Sequence, residues 1–350
     1  MRMQSYLKET PQRMKEMIAY ASEIFSEVVR EDFERILITG SGTSYHAGLQ
    51  MREMIKHFTR IPVDVFFPFE INSNTFFGNP KRTLCIGISQ TGTSLSTYKA
   101  MEMAKDAGCI VASMAGKENT LIDELVDFSL TVHCGEENVE PKTKGYYCTK
   151  LNLALFSLYL SRERGLLTEP QFLEEIARIE ECIEKFDTIY ADSKTWIKDN
   201  KTMFTETGNM WFIGTRDIYG DILECAIKVV ESIRIPAIGY EFEEFLHGIY
   251  NAIDEDSTVI IFDTGLEKRI HALVSVLAKW TDAIYIIGKN VPKSPKNMVI
   301  DFIEHPFYKT FECILPIQLM CAEIPPLKGI NPEVSKDPLF NKKMEIRKVY

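Results

Sequence analysis

The chain has no C-x-x-C pair and no grouping of cysteine with histidine at metal-ligand spacing. Its eight cysteines (Cys85, Cys109, Cys134, Cys148, Cys182, Cys225, Cys313 and Cys321) stand singly, most of them in apolar runs such as TLCIGIS around Cys85. That pattern excludes a disulfide framework and a zinc site and makes the thiols small buried hydrophobes. No stretch approaches the roughly 18 uninterrupted apolar residues of a membrane span. The opening MRMQSYLKETPQRMKEMI is a polar amphipathic helix rather than a basic segment leading into an apolar one. A cytoplasmic protein with no membrane partner is expected. A basic stripe is missing as well: 40 Lys and Arg stand against 50 Asp and Glu, for a net charge of −10, which argues against a nucleic-acid partner. Neither a P-loop lysine nor G-x-G-x-x-G occurs, so no nucleotide cofactor is expected, and no metal.

What is present is an ordinary globular composition, 45% hydrophobic and 26% charged over 350 residues, long enough for two cores. Residues 35–44, RILITGSGTS, run as an apolar β-branched strand into a glycine-rich turn, and YHAGLQMREMIKHF continues as a helix. TLCIGISQTGTS at 83–94 repeats the arrangement ahead of a helix over 95–106. Strands are predicted at 109–116 and 128–134. The second half echoes the first at one fixed offset of 174 residues, which relates Gly214 to Gly40, Asp263 to Ser89 and Tyr285 to Val111. Such a duplication of strands alternating with helices implies an α/β fold of two doubly wound parallel-sheet domains. The division is placed at 1–160 for the first domain with its N-terminal helix, 161–200 for a helical connector, and 201–350 for the second domain with the C-terminal tail.

The duplication is informative where it breaks. The first copy carries Ser89-Gln90-Thr91-Gly92-Thr93-Ser94, and the matching second-copy loop is Asp263-Thr264-Gly265-Leu266-Glu267. Hydroxyls and backbone N–H groups feeding a helix N-terminus suit an anion, whereas Asp263 repels one. Alone, such a loop is better explained as a turn with a helix cap. A second hydroxyl-bearing turn, Gly40-Ser41-Gly42-Thr43-Ser44, lies one strand away, and two such loops at strand ends favour the anion.

A different pattern occupies residues 221–254. Glu224, Lys228 and Glu231 fall at i, i+4 and i+7 of a helix, within a stripe about 60° wide, among otherwise apolar residues. Taken singly this is a strip of ion pairs, and His247 downstream is a satisfied, half-buried histidine.

Together the motifs G-S-G-T-S-Y at 40–45, S-Q-T-G-T-S at 89–94, T-K-G-Y at 143–146 and the E-x-x-x-K-x-x-E helix with its later histidine resemble the sugar isomerase (SIS) domain family in its double-domain form. The chain is similar to the isomerase half of glutamine:fructose-6-phosphate amidotransferases and to fructosamine 6-phosphate deglycases. The resemblance implies that Ser44, Ser89, Gln90, Thr91 and Ser94 hold a substrate phosphate, with Thr43 shaping the loop. It implies Glu231 as the base moving a proton between C1 and C2, Lys228 beside it, and Glu224 near the site. It further implies that His247 opens the sugar ring, reaching the site from the other subunit of a homodimer whose active site is shared.

Two departures narrow the activity. The chain begins Met1-Arg2, without the cysteine nucleophile of a glutaminase domain, so use of glutamine is not expected of this polypeptide. The family's Schiff-base lysine has no clear counterpart, although Lys336, Lys342 and Lys343 stand in the tail. The expected function is deglycation of a 6-phosphofructosamine to an amine and a hexose 6-phosphate. The alternatives are aldose–ketose isomerisation, deamination of glucosamine 6-phosphate and, in another class, a non-catalytic sugar-phosphate sensor.

Overall fold

The computed structural model describes residues 2–289 and 291–347. Among the described residues ten strands form two five-stranded sheets in which every strand pair is parallel. The first sheet contains β1 (Arg35–Gly40), β2 (Val63–Phe66), β3 (Thr83–Ser89), β4 (Ile110–Ala115) and β5 (Phe128–Ser129), in the order β2-β1-β3-β4-β5. The second contains β6 (Asn209–Gly214), β7 (Ala237–Glu241), β8 (Ser257–Asp263), β9 (Ile284–Gly288) and β10 (Met298–Val299), in the order β10-β9-β8-β6-β7. Followed from β7, the second order repeats the first. The 174-residue offset holds for the starts of four strand pairs, β1 with β6, β2 with β7, β3 with β8 and β4 with β9, so no insertion separates the copies across these strands.

Among the described residues the α-helices are α1 (Arg2–Phe25), α2 (Thr43–Thr59), α3 (Leu95–Asp106), α4 (Lys144–Glu163), α5 (Glu169–Glu184), α6 (Phe186–Glu206), α7 (Tyr219–Ser232), α8 (Phe242–Phe245), α9 (Ile270–Leu277), α10 (Leu315–Glu323) and α11 (Phe340–Lys343). Contacts gather the chain into two units. One holds Glu9–Asn138, Lys142–Glu180 and the tail from Ser335; the other holds Glu181–Val334 with Val139–Pro141 and the first residues through Lys8.

Strands covered on both faces read as unbroken apolar runs, which is why RILITG and TLCIGIS carry no alternation. Ile36, Leu37, Ile38, Leu84, Cys85 and Ile86 are fully buried in the first sheet, as are Phe212, Ile213, Val259, Ile260 and Ile261 in the second. At about 1.5–3 kcal/mol for each large aliphatic side chain, these layers dominate the stability of each unit. Helix α4 is buried on nearly every side, so it is a core element of its unit rather than a surface helix.

Two differences from the sequence reading have local causes. The strand predicted over 128–134 is regular only at Phe128–Ser129. Leu130 and Val132 still donate to Ser113 and Ala115 on β4, but the Cys134 N–H turns back to the Val132 carbonyl and ends the run. The tail, assigned by sequence with residues 201–350, gathers from Ser335 onward with the first sheet. There the Leu95 N–H donates to the Ile346 carbonyl, and Arg347 pairs with Ser94 as an isolated antiparallel bridge.

Candidate active site

In the first unit the chain leaves β1 toward β2 on one side and leaves β3 toward β4 on the other. Their C-terminal ends therefore flank the point where strand order reverses, the usual ligand crevice of an open parallel sheet. Gly40 pairs in register with Ile88, which sets the two hydroxyl loops side by side. Thr43 and Ser44 open α2, and both are half-buried. Ser89 ends β3 and is buried.

The loop after β3 is held open by its own contacts. Gly92, at φ +68°, donates to the Ser89 carbonyl at 2.8 Å, and a Cβ there would lie 2.2 Å from Thr120. The Thr91 and Thr93 hydroxyls lie 2.9 Å apart. Ser94 caps α3, its Oγ accepting from the Thr97 N–H at 3.3 Å and the Thr97 hydroxyl at 3.1 Å. Half-buried hydroxyls at a helix start, with the α3 dipole behind them, make a cradle for an oxyanion.

Gln90 stands apart from that hydroxyl set. Its Nε2 donates to Cys134 Sγ at 2.9 Å, and its Oε1 accepts from Thr149 at 3.4 Å. A Cβ on Gly145 would lie 2.7 Å from Gln90 Cδ, so the amide is clamped against the start of α4. A hydrogen bond with Cys148 holds the Cys134 thiol below its ordinary value, while burial pushes Cys148 up. That α4 start is itself built on Glu137, a residue without a sequence signal. The Glu137 carboxylate accepts from the backbone N–H of Thr143 (2.7 Å), Lys144 (3.2 Å) and Gly145 (2.8 Å) and from the Thr143 hydroxyl. Lys144, fully buried, pairs with Glu9 and donates to the Glu136 carbonyl.

The other unit carries the acid/base stripe on α7. Lys228 Nζ lies 2.6 Å from Glu231 Oε2 and 3.3 Å from Glu224 Oε1. The Glu224 and Lys228 side chains are 0% and 1% exposed, and Glu231 is 34% exposed. Burial disfavours the ammonium, but the two carboxylates outweigh it and raise the Lys228 pKa. The stripe is therefore not a strip of ion pairs facing solvent. Two of its three charges are inside, and one carboxylate reaches the surface.

His247 lies on the turn that follows α8 and is exposed. Glu241 caps that helix, accepting from the N–H groups of Glu243 and Glu244. Among the described residues His247 makes no side-chain hydrogen bond to Glu224, Lys228 or Glu231. In the tail, Lys336 and Lys342 are exposed and Lys343 lies 3.1 Å from Asp337. Among the described residues no group of three His, Cys, Asp or Glu could hold a metal ion, and no helix is long and apolar enough to cross a membrane.

Residues 31–161 match the SIS domain. A proposed phosphosugar isomerase from Clostridium difficile 630 is 48% identical, with 99% of each chain covered and a TM-score of 0.97. A proposed sugar binding protein from Salmonella typhimurium LT2 is 35% identical, over 93% of this chain and 100% of that one, at a TM-score of 0.86. The isomerizing glutamine–fructose-6-phosphate aminotransferase of Aquifex aeolicus is 30% identical over 313 residues, 86% of this chain and 50% of the relative, so this chain spans about half the length of that relative.

Two sheets of one repeated topology, one bearing a hydroxyl-lined loop pair and the other a buried carboxylate–lysine–carboxylate stripe, define an α/β enzyme built by duplication. The chain belongs to the sugar isomerase (SIS) family and is an enzyme of that family.

Proposed function

We propose that this enzyme works at C1–C2 of a 6-phosphorylated fructosamine or amino sugar, and that its reaction is deglycation. The observation that carries the reading is the α7 stripe, in which a buried lysine steadies a carboxylate that stays one-third open to solvent. A proton shuttle needs such a group, reachable by substrate yet fixed in position.

In this reading the first half, residues 1–160, binds, the second, 201–350, carries the proton chemistry, and 161–200 links them. Ser44, Ser89, Thr91 and Ser94 hold the 6-phosphate with the loop amides, Thr43 shapes the turn, and Gln90 braces the loop from beneath. Glu231 takes a proton from C1 of the open-chain ketoamine, and the C1–H electrons form the enolamine. Reprotonation at C2 leaves an imine at C1. Water adds to C1, the C–N bond breaks, and the amine departs with a proton from His247, leaving the aldehyde of a hexose 6-phosphate. Lys228 offsets negative charge as it develops at the C2 oxygen, and Glu224 holds Lys228 in place. The enzyme acts as a cytoplasmic homodimer in which His247 enters from the second copy; its exposed position on a turn supports that role.

The test is turnover of a panel of fructosamine 6-phosphates and glucosamine 6-phosphate, read by hexose 6-phosphate release, with Glu231→Gln as control. Release from one fructosamine that vanishes in the variant supports deglycation and names the amine. Turnover of glucosamine 6-phosphate alone, or aldose–ketose conversion alone, replaces it with deamination or isomerisation. A silent panel with sugar-phosphate binding intact by calorimetry sinks deglycation and points to a sugar phosphate outside the panel.

A further inference from the structure

The second sheet has the same strand-order switch as the first, between β6 and β8, and the crevice there is not vacant of charge. Thr215, just past β6, and Thr264, just past β8, are both buried, and their hydroxyls lie 3.0 Å apart. Both point at one carboxylate. Asp217 Oδ1 accepts from the Thr215 hydroxyl at 2.5 Å and from the Thr264 hydroxyl at 3.3 Å, while Lys309 Nζ stands 3.6 Å from Oδ2. The side chains of Asp217 and Lys309 are 10% and 14% exposed, so the pair is largely withdrawn from water.

The 174-residue offset gives three of these residues a counterpart in the first copy. Thr215 answers to Ser41, Thr264 to Gln90, and Asp217 to Thr43. Two hydroxyls thus persist at the second crevice, although Ile218, Gly265 and Lys268 stand where the first copy has Ser44, Thr91 and Ser94, and a carboxylate is set where the first has the Thr43 hydroxyl. The loop amide is engaged too, because Asp263, the counterpart of Ser89, accepts from the Gly265 N–H at 2.9 Å. Two hydroxyl donors and a lysine converging on one buried carboxylate are what an oxyanion site looks like when occupied.

We infer that the β6/β8 crevice is an oxyanion site permanently filled by the chain's own Asp217, with Asp263 closing its loop. Each chain consequently takes up one phosphate monoester, in the first sheet, and the crevice of the sheet that carries Glu224, Lys228 and Glu231 admits none. This refinement rests on the assignment of the β1/β3 loops as the substrate's phosphate cradle. Removal of the two carboxylates, restoring the residues of the first copy, opens a second phosphate site.

The experiment is calorimetric titration of inorganic phosphate into the full chain, with four proteins compared: the native protein, Ser89→Asp, Asp217→Thr/Asp263→Ser, and all three substitutions together. The expected stoichiometries are one, none, two and one phosphate per chain. A folded Asp217→Thr/Asp263→Ser protein that binds no more phosphate than the native one overturns the inference, as does a native protein that already binds two. A native protein that binds none while Asp217→Thr/Asp263→Ser binds one preserves the inference and instead removes the β1/β3 cradle. If the threonine and serine forms do not fold, Asp217→Asn/Asp263→Asn keeps the shape without the charge. Phosphate should then raise its melting temperature in the Ser89→Asp background but not that of Ser89→Asp alone, and the absence of that shift overturns the inference.

Discussion

Lys228 donates to Glu231 at 2.6 Å from a position where only 1% of its side chain meets solvent, and on its other side Glu224 is wholly buried at 3.3 Å. The lysine is therefore the partner on which an interior carboxylate depends. Lys228→Met removes the cation 3.3 Å from the buried Glu224, and breaking a buried pair in this way costs about 3–5 kcal/mol. Denaturant unfolding at pH 7 should show a loss of that order. The pH dependence has a definite sign. The folded-state pKa is raised above its ordinary 10.5, so the lysine's contribution is complete below that pH and is lost only as pH rises through the folded value. The native protein's margin over Lys228→Met should stay flat from neutral pH to about 10. A margin that disappears in the pH 8–9 range would show that Lys228 is not held as described.

The hydroxyl loop is braced from below by Cys134. With Cys134→Ala the Gln90 amide loses the acceptor 2.9 Å away, and a lost hydrogen bond of this kind is worth about 1 kcal/mol. Sugar-phosphate affinity should weaken roughly fivefold while Cys134→Ser, which keeps an acceptor, retains most of it. Equal affinity in all three proteins, measured by calorimetry, would mean that Gln90 does not transmit order to the loop.

How much of this was legible in the sequence follows from how local each feature is. The strands flanking both crevices are continuous apolar runs bounded by glycine and hydroxyl turns, and the predicted helix over 95–106 coincides with α3. Strands β2 and β7 are edge pieces of mixed composition, VDVF and AIGYE, each entered through the same Arg-Ile-Pro, and their short runs become recognisable as a pair through the shared 174-residue offset. The spacing of Glu224, Lys228 and Glu231 placed them on one helical stripe, but spacing is equally compatible with a wet or a dry stripe. Only the tertiary packing of β6, β7 and α10 against α7 decides that it is dry. Gln90 was legible as a loop residue and not as a brace, because its partners Cys134 and Thr149 lie 44 and 59 residues away. The tail's association with the first sheet rests on backbone bonds at Ser94 and Leu95, which no side-chain pattern encodes.

Glu137 was invisible for a related reason. It stands six residues before Thr143, outside the usual capping-box spacing, yet its carboxylate satisfies three orphan N–H groups at the start of α4. Glu137→Ala strips all three of their acceptor, and replacing a helix cap costs about 0.5–2 kcal/mol even when only one bond is lost. The melting temperature should fall by several degrees. Glu137→Gln, which keeps one carbonyl oxygen, should recover part of the difference. A thermal scan in which alanine and glutamine behave like the native residue would show the cap to be without weight.

The assignment of His247 to a neighbouring copy can be separated from every other part of the proposal by mixing inactive chains. Glu231→Gln and His247→Ala should each be nearly inert, since removal of a general acid or base costs about 100- to 10,000-fold. In a mixed dimer of the two, one site pairs the altered glutamine with the altered alanine and is dead. The other pairs an intact Glu231 from one chain with an intact His247 from its partner. Activity should therefore return when the two inactive proteins are unfolded together and refolded, and should stay absent when either is refolded alone. If each site drew both residues from one chain, every site in the mixture would carry a lesion, and no recovery would be seen. The recovered fraction is read against the proportion of mixed dimer separated by charge, because Glu231→Gln removes one negative charge per chain and distinguishes the two parents on ion exchange.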